Sequence, residues 1–210
     1  MKRIFLRQSL SMLLVAAAAC TGSAAFAEEE APDAMIKRLL SELMDAIKGD
    51  KALRAGDIAK MTALVDARIM PLLDFPRMTA AAVGPAWRQA STEQQKRVQD
   101  EFKTLLLHAY AGALAQLKDQ TINMKPAKAG ADDKEVLVRA EIKGSSETIQ
   151  LDYRLEKVPG SGWKIYNLNV MGVWLVETYR SQFAQEINTK GMDGLISTLS
   201  ERNKSNAKKA

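Results

Sequence analysis

One histidine, one cysteine and a scatter of carboxylates are what this 210-residue chain offers for metal binding, thiol chemistry or proton transfer at neutral pH. His108 lies inside an apolar run, between Leu107 and Ala109. A lone histidine cannot assemble an ordinary zinc site, which draws three or four nitrogen and sulfur ligands from the protein. As a general base it would need an orienting carboxylate, and none stands nearby in sequence. Glu147, Asp152 and Asp193 could be acids in a cavity, but their neighbours assign them to the wet face of a sheet or to a helix end. No Gly-x-Ser-x-Gly elbow, P-loop or dinucleotide fingerprint occurs. These residue types predict no catalytic group, no metal and no cofactor.

The single cysteine, Cys20, falls in a segment that reads as removable. Lys2, Arg3 and Arg7 precede an apolar run from Leu10 to Ala19, followed by Ala25-Phe26-Ala27. This is the pattern of a signal peptide with a small-x-small cleavage site, spanning residues 1–27. The run is short for a membrane span. Cleavage removes three basic residues and no acidic ones, taking the formal charge from +5 to +2. Much of the basicity is thus a targeting signal. The rest gathers near the end, where residues 204–210 read as a basic, unstructured tail. No basic face with aromatic support suggests nucleic acid. Residues 28–203 then form one domain without disulfides, long enough to be held by its core.

The elements follow from periodicity. Ile36, Leu39, Leu40, Leu43, Met44 and Ile47 mark one helix face, with Asp33 as the expected N-cap and Gly49 as the stop. A second helix is expected between Asp57 and Met70, ended by Pro71, and a short third one opens at Phe75-Pro76. Ser91 and Gln94 form a capping box. The helix behind it carries Val98, Phe102, Leu105, Leu106, Ala109, Tyr110, Ala113 and Leu117, with Leu107 and Leu114 widening the apolar surface. A helix this apolar is expected at the centre of the fold. After Gln120 the period changes to two. Ile122 and Met124, then Val136 to Ile142, then Ile149 to Leu155, then Trp163 to Val170 read as four antiparallel strands. Gly144-Ser145-Ser146 and Pro159-Gly160-Ser161-Gly162 mark turns. Gly172 breaks the last strand. A long amphipathic helix follows with Val176, Tyr179, Phe183 and Ile187, then a stop at Gly191 and a further helix with Leu195, Ile196 and Leu199. The class is α+β.

Several stretches resemble the MlaC family, the toluene-tolerance type of periplasmic phospholipid carrier. They are Phe75-Pro76-Arg77-Met78, Phe102 through Leu114, Gly162 through Tyr166, Gly172-Val173, Tyr179 through Phe183 and Lys190 through Leu195. Met171 and Trp174 depart from the family's more usual small or acidic residue and serine. The resemblance implies a curved four-stranded antiparallel sheet, a cone of the nuclear-transport-factor-2 kind, packed against several helices. Between them it implies an apolar pocket for acyl chains. It further implies a phospholipid cargo, a monomer in the periplasm, and a role in outer-membrane lipid asymmetry. The partners it implies are an outer-membrane lipoprotein complex and an inner-membrane ABC transporter with a membrane-anchored substrate-binding component.

By composition alone, each buried aromatic or aliphatic residue is more often plain core. Under the resemblance, the candidates for contact with lipid are Phe75, Met78, Val83, Phe102, Leu106, Tyr110, Val138, Leu151, Tyr153, Val173 and Tyr179. Alternation places Val138 and Leu151 on the face turned toward the helices, and Arg139 and Asp152 on the other. Three rival readings stand beside the phospholipid carrier. One is a carrier of hopanoid or other polycyclic lipid. Another is an enzyme on the same cone with a buried acid. The third is an adaptor whose apolar layer is solid core.

Overall fold

The computed structural model describes residues 30–117, 119–127, 130, 133–145 and 147–208. The expected signal peptide, its cleavage site, Cys20, Ser146 of the first strand turn and the last two residues lie outside the described residues.

Six α-helices and one five-stranded sheet make up the regular structure of the described residues. Helix α1, Pro32–Gly49, buries Ile36, Leu39, Leu40, Leu43, Met44 and Ile47 along one stripe. Its N-cap is Ala31 rather than Asp33, because Pro32 fits the first helical turn, where its missing N–H costs nothing. Asp33 instead accepts a bond from the Ala34 N–H. Asp50 then caps a four-residue helix, α2 (Lys51–Arg54), which periodicity could not reveal. The single helix expected over 57–70 is three pieces. Helix α3, Ile58–Leu64, is capped by the Asp57 carboxylate; a π-helical turn follows at Val65–Ile69, and a 3-10 turn at Met70–Leu72.

Helix α4, Phe75–Val83, starts under the Asp74 cap. Helix α5, Thr92–Ala115, carries both bonds of the Ser91–Gln94 capping box. The sheet is a meander in the order β1 (Thr121–Lys125), β2 (Glu135–Lys143), β3 (Thr148–Val158), β4 (Gly162–Val170), β5 (Val173–Trp174), with every neighbouring pair antiparallel. The fifth strand is a correction to the expected four; two residues give no periodic signal. It joins β4 through a two-residue loop, Met171-Gly172, in which both residues have positive φ (53° and 87°). Tight hairpins need that geometry, and methionine adopts it at a cost.

The register of β3 against β4 shifts between Arg154 and Leu155, because Leu155 pairs Ile165 while Arg154 pairs Asn167. Tyr166 is the extra residue of this β-bulge. Beyond it the inward face of β4 changes parity, so Trp163 and Ile165 precede, and Leu168 and Val170 follow, on the helix side. Asn167 and Asn169 turn to the other side and are buried, at 2% and 5% exposure. Asn167 closes the start of helix α6, Leu175–Ala207. Its Oδ1 accepts the Val176 N–H at 3.2 Å and its Nδ2 donates to Glu177 at 2.8 Å.

Helix α6 is broken at Gly191, where φ 69° and ψ −172° are open to glycine alone. The stop expected there is a kink between two helical segments. The second segment runs through Ala207, and Asn203 within it donates to Glu101 of α5, so helix replaces the unstructured tail expected from residue 204 as far as Ala207.

Two apolar clusters share α5. One joins the C-terminal half of α5 (Leu107, Ala111, Ala115) to α1 and the sheet. The other joins its N-terminal half (Val98, Phe102, Leu105) to α4 and α6. In the second, Phe102 sits between Phe75, Tyr179 and Phe183, with ring centroids 5.8, 4.9 and 5.2 Å away. These are the spacings of favourable aromatic packing.

Candidate lipid-binding cavity

The first cluster is hollow. The sheet, α1, the π-helical turn and the C-terminal half of α5 surround a cavity of about 230 Å³. An apolar cavity of ~150 Å³ already stays dry and takes up small apolar molecules.

Each wall follows from local structure. On β2 and β3, strict alternation sends Ile142, Ile149, Leu151 and Tyr153 inward. On β4 the bulge supplies Ile165 before it and Leu168 and Val170 after it. Helix α1 contributes Leu39 and Leu40, with Leu43 one turn further on. Helix α5 contributes Lys103, Leu106, Leu107, Tyr110, Ala113 and Leu114, the three-and-four spacing of a single face, and Leu117 follows just past its end. The π-helical turn adds Val65 and Ile69, with Met70 and Leu73 beyond. Phe75 and Met78 of α4 belong to the solid cluster and also form part of the cavity wall.

Polarity is scarce in this lining. Tyr153 is 5% exposed, and no group pairs with its hydroxyl among the described residues. Burial pushes its phenol well above the usual range. Tyr110 is raised by burial too. Among the described residues, Lys103 is the one charged residue in the lining, and its Nζ meets Asp66 of the π-helical turn at 3.0 Å. Among the described residues no cluster of histidine, cysteine and carboxylates could hold a metal, and His108 stands half-buried on α5. No helix of the described residues is long and apolar enough to cross a membrane.

Six of the eleven residues singled out from sequence come together at the cavity: Phe75, Met78, Leu106, Tyr110, Leu151 and Tyr153. Five do not. Val83, Phe102 and Tyr179 fill the solid cluster of α4, α5 and α6, because the inner face of α6 packs on α4 and on the half of α5 away from the cavity. Val138 points inward as alternation requires, but is fully buried in the core that β2 shares with α1. Val173 lies in the short fifth strand and is 51% exposed. Sequence reasoning missed the α1 wall, although its stripe was plain, and the wall from the π-helical turn, which helical periodicity hides.

The chain matches the MlaC protein family over residues 37–201. It belongs to that family. It is 27% identical over 190 residues to the toluene tolerance protein ttg2D of Pseudomonas putida, covering 90% of this chain and 85% of that one. It is 22% identical over 176 residues to the intermembrane phospholipid transport system binding protein MlaC of Haemophilus influenzae, covering 82% of each. Among solved structures it resembles the phospholipid-binding protein of Ralstonia solanacearum, determined in complex with a phospholipid. The TM-score is 0.80 and the identity 46%, over 83% of this chain and 98% of that one. For an MlaC protein, an apolar hollow between sheet and helices is the feature to explain.

Proposed function

We propose that this MlaC protein is a phospholipid carrier of the periplasm and not an enzyme, holding acyl chains in the cavity between its sheet and α1, α5 and the π-helical turn. The observation that carries this reading is a lining whose described residues are apolar except for two phenols and one partly exposed lysine. The phospholipid held by the 46%-identical Ralstonia solanacearum protein supports it.

The energetics suit a container. Each methylene moved out of water stabilises by ~0.8 kcal/mol, so two acyl chains resist exposure by on the order of 20 kcal/mol. A dry protein cavity offers nearly the environment of a bilayer, and exchange between the two is close to isoenergetic. Direction then comes from the partners. By family, these are an inner-membrane ABC transporter with a membrane-anchored substrate-binding component and an outer-membrane lipoprotein complex. The shuttle between them serves outer-membrane lipid asymmetry.

Two measurements test this. Solvent extraction of the folded protein from its own cells should release diacyl phospholipid near one per chain. A polycyclic lipid, or no lipid, would overturn the reading. Intact mass of the periplasmic form should correspond to a chain starting at Glu28; a lipidated start at Cys20 would rule out a free shuttle.

A further inference from the structure

Lys103 occupies an unusual place. Along α5, Lys103, Leu106, Leu107 and Tyr110 continue one stripe, and all four line the cavity. The apolar residues form the wall, and Lys103 ends the stripe with its side chain 34% exposed. It therefore stands where the hydrocarbon surface meets water. Opposite it, Val65, Ile69 and Met70 of the π-helical turn and the residue after it line the same cavity, and Asp66 of that turn holds the Lys103 ammonium at 3.0 Å. The ion pair thus bridges two walls at the rim. Asp66 is itself 47% exposed and has no other ion-pair partner among the described residues. A partly solvated pair of this kind is weak and exchanges readily for a better anion. A π-helical turn is also a common feature of functional sites.

We infer that Lys103 is the headgroup-reading residue of the cavity: it leaves Asp66 to pair with the anionic phosphodiester of a lipid whose tails fill the space beneath. This rests on the phospholipid-carrier reading. Lysine binds phosphate oxygens as a compact point charge, without demanding one headgroup geometry. The rim would therefore select an anionic phosphodiester while tolerating different alcohols beyond it. Asp66 plays the opposing part, holding Lys103 when no lipid phosphate is present and repelling the phosphate as it arrives.

The test is competitive loading. Delipidated full-length protein is offered vesicles containing equal amounts of phosphatidylglycerol and diacylglycerol with the same chains, and the bound ratio is read by mass spectrometry. The wild type should favour the phospholipid. Lys103→Met should lower the ratio roughly three- to fivefold, the scale of a partly exposed ion pair. Lys103→Arg should keep it, and Asp66→Asn, which frees the ammonium, should raise it. Excess inorganic phosphate should leave the wild-type ratio unchanged, since only a lipid phosphate is held in place by its tails. A ratio unaltered in both Lys103→Met and Asp66→Asn overturns the inference, as does a preference abolished by inorganic phosphate. A wild type that takes up neither lipid defeats the carrier reading itself, an outcome distinct from these. Asp66→Asn and Lys103→Arg remove no apolar contact, so the outcome does not depend on how Lys103→Met folds.

Discussion

Val138 and Tyr153 are direct cross-strand partners in β2 and β3, both facing the helices, yet only Tyr153 reaches the cavity. Val138 is completely buried in the solid part of the same layer, whereas Leu151, two residues along β3, borders open space. An arginine should therefore have opposite effects at two positions that alternation alone cannot tell apart. In Val138→Arg an unpaired buried charge should cost several kcal/mol and unfold the protein. In Leu151→Arg the long side chain can extend through the cavity toward water, leaving a folded protein with little lipid. Arg139→Ala, on the outer face, should keep its lipid. Circular dichroism and lipid phosphorus per protein separate these outcomes. A folded, lipid-filled Leu151→Arg would move the cavity elsewhere.

Tyr153→Phe should leave stability unchanged or raise it slightly. The hydroxyl has no partner among the described residues, so its removal breaks no hydrogen bond there. Thermal unfolding of delipidated protein reads this directly. A loss of more than about 1 kcal/mol would mean that the hydroxyl holds a structural bond.

Asn167→Ala should destabilise by about 1–3 kcal/mol. The buried amide accepts the Val176 N–H at the start of α6 and anchors Glu177, work that the Trp174 N-cap does not do with its own side chain. Urea unfolding with an unchanged slope is the expected signature. Lipid content should hold, because Asn167 lies outside the lining.

Two glycine-to-alanine changes should have opposite signs. Gly191→Ala forces a side chain onto φ 69°, ψ −172° and should cost about 1–3 kcal/mol. Gly112→Ala, exposed in the last turn of α5 with nothing within 4 Å of the new methyl, should add up to about 0.5 kcal/mol. Equal effects at the two sites would refute the kink.

Acid should weaken the fold from a definite point. Arg38 holds Glu30 below the usual carboxylate range, Arg77 does so for Glu135, and Lys190 for Glu186. Burial pushes Glu177 up, but bonds from Asn167 and Arg154 more than reverse it. Groups with depressed folded pKa values stabilise fully above the unfolded value, about 4.3 for glutamate, and lose that contribution as pH falls through the folded values. Glu156, raised by burial, works in the opposite sense. The melting temperature should be level from neutrality to about pH 5 and drop below about pH 4.3. A melting temperature still level at pH 3 would contradict these pairings.

How much of this was legible in the sequence differs from element to element. The α1 stripe, the Ser91–Gln94 box and the alternation of β2 and β3 could be read directly, because each depends on contacts within a few residues. The β4 bulge could not. Asn167 and Asn169 occupy the parity that Trp163 and Ile165 establish as inward, and only pairing with β3 shows that Tyr166 is an extra residue. Burial itself was also legible, but the division between packed and hollow was not. Phe102 and Leu106 sit a turn apart on one helix; the first is enclosed by aromatic rings and the second faces the cavity. That difference is made by α6 and α1, which reach α5 from distant parts of the chain.

The aromatic knot around Phe102 behaves like the keel of a vessel. Its closure involves α4, α5 and α6 and none of the strands, so its stiffness does not depend on whether the hold is loaded. Loss of cargo should therefore soften the π-helical turn and α1 while leaving exchange protection around Phe102 and Phe183 nearly constant. On the carrier reading, the protein exchanges cargo without refolding, and Phe75, which touches both keel and hold, marks where the one ends and the other begins.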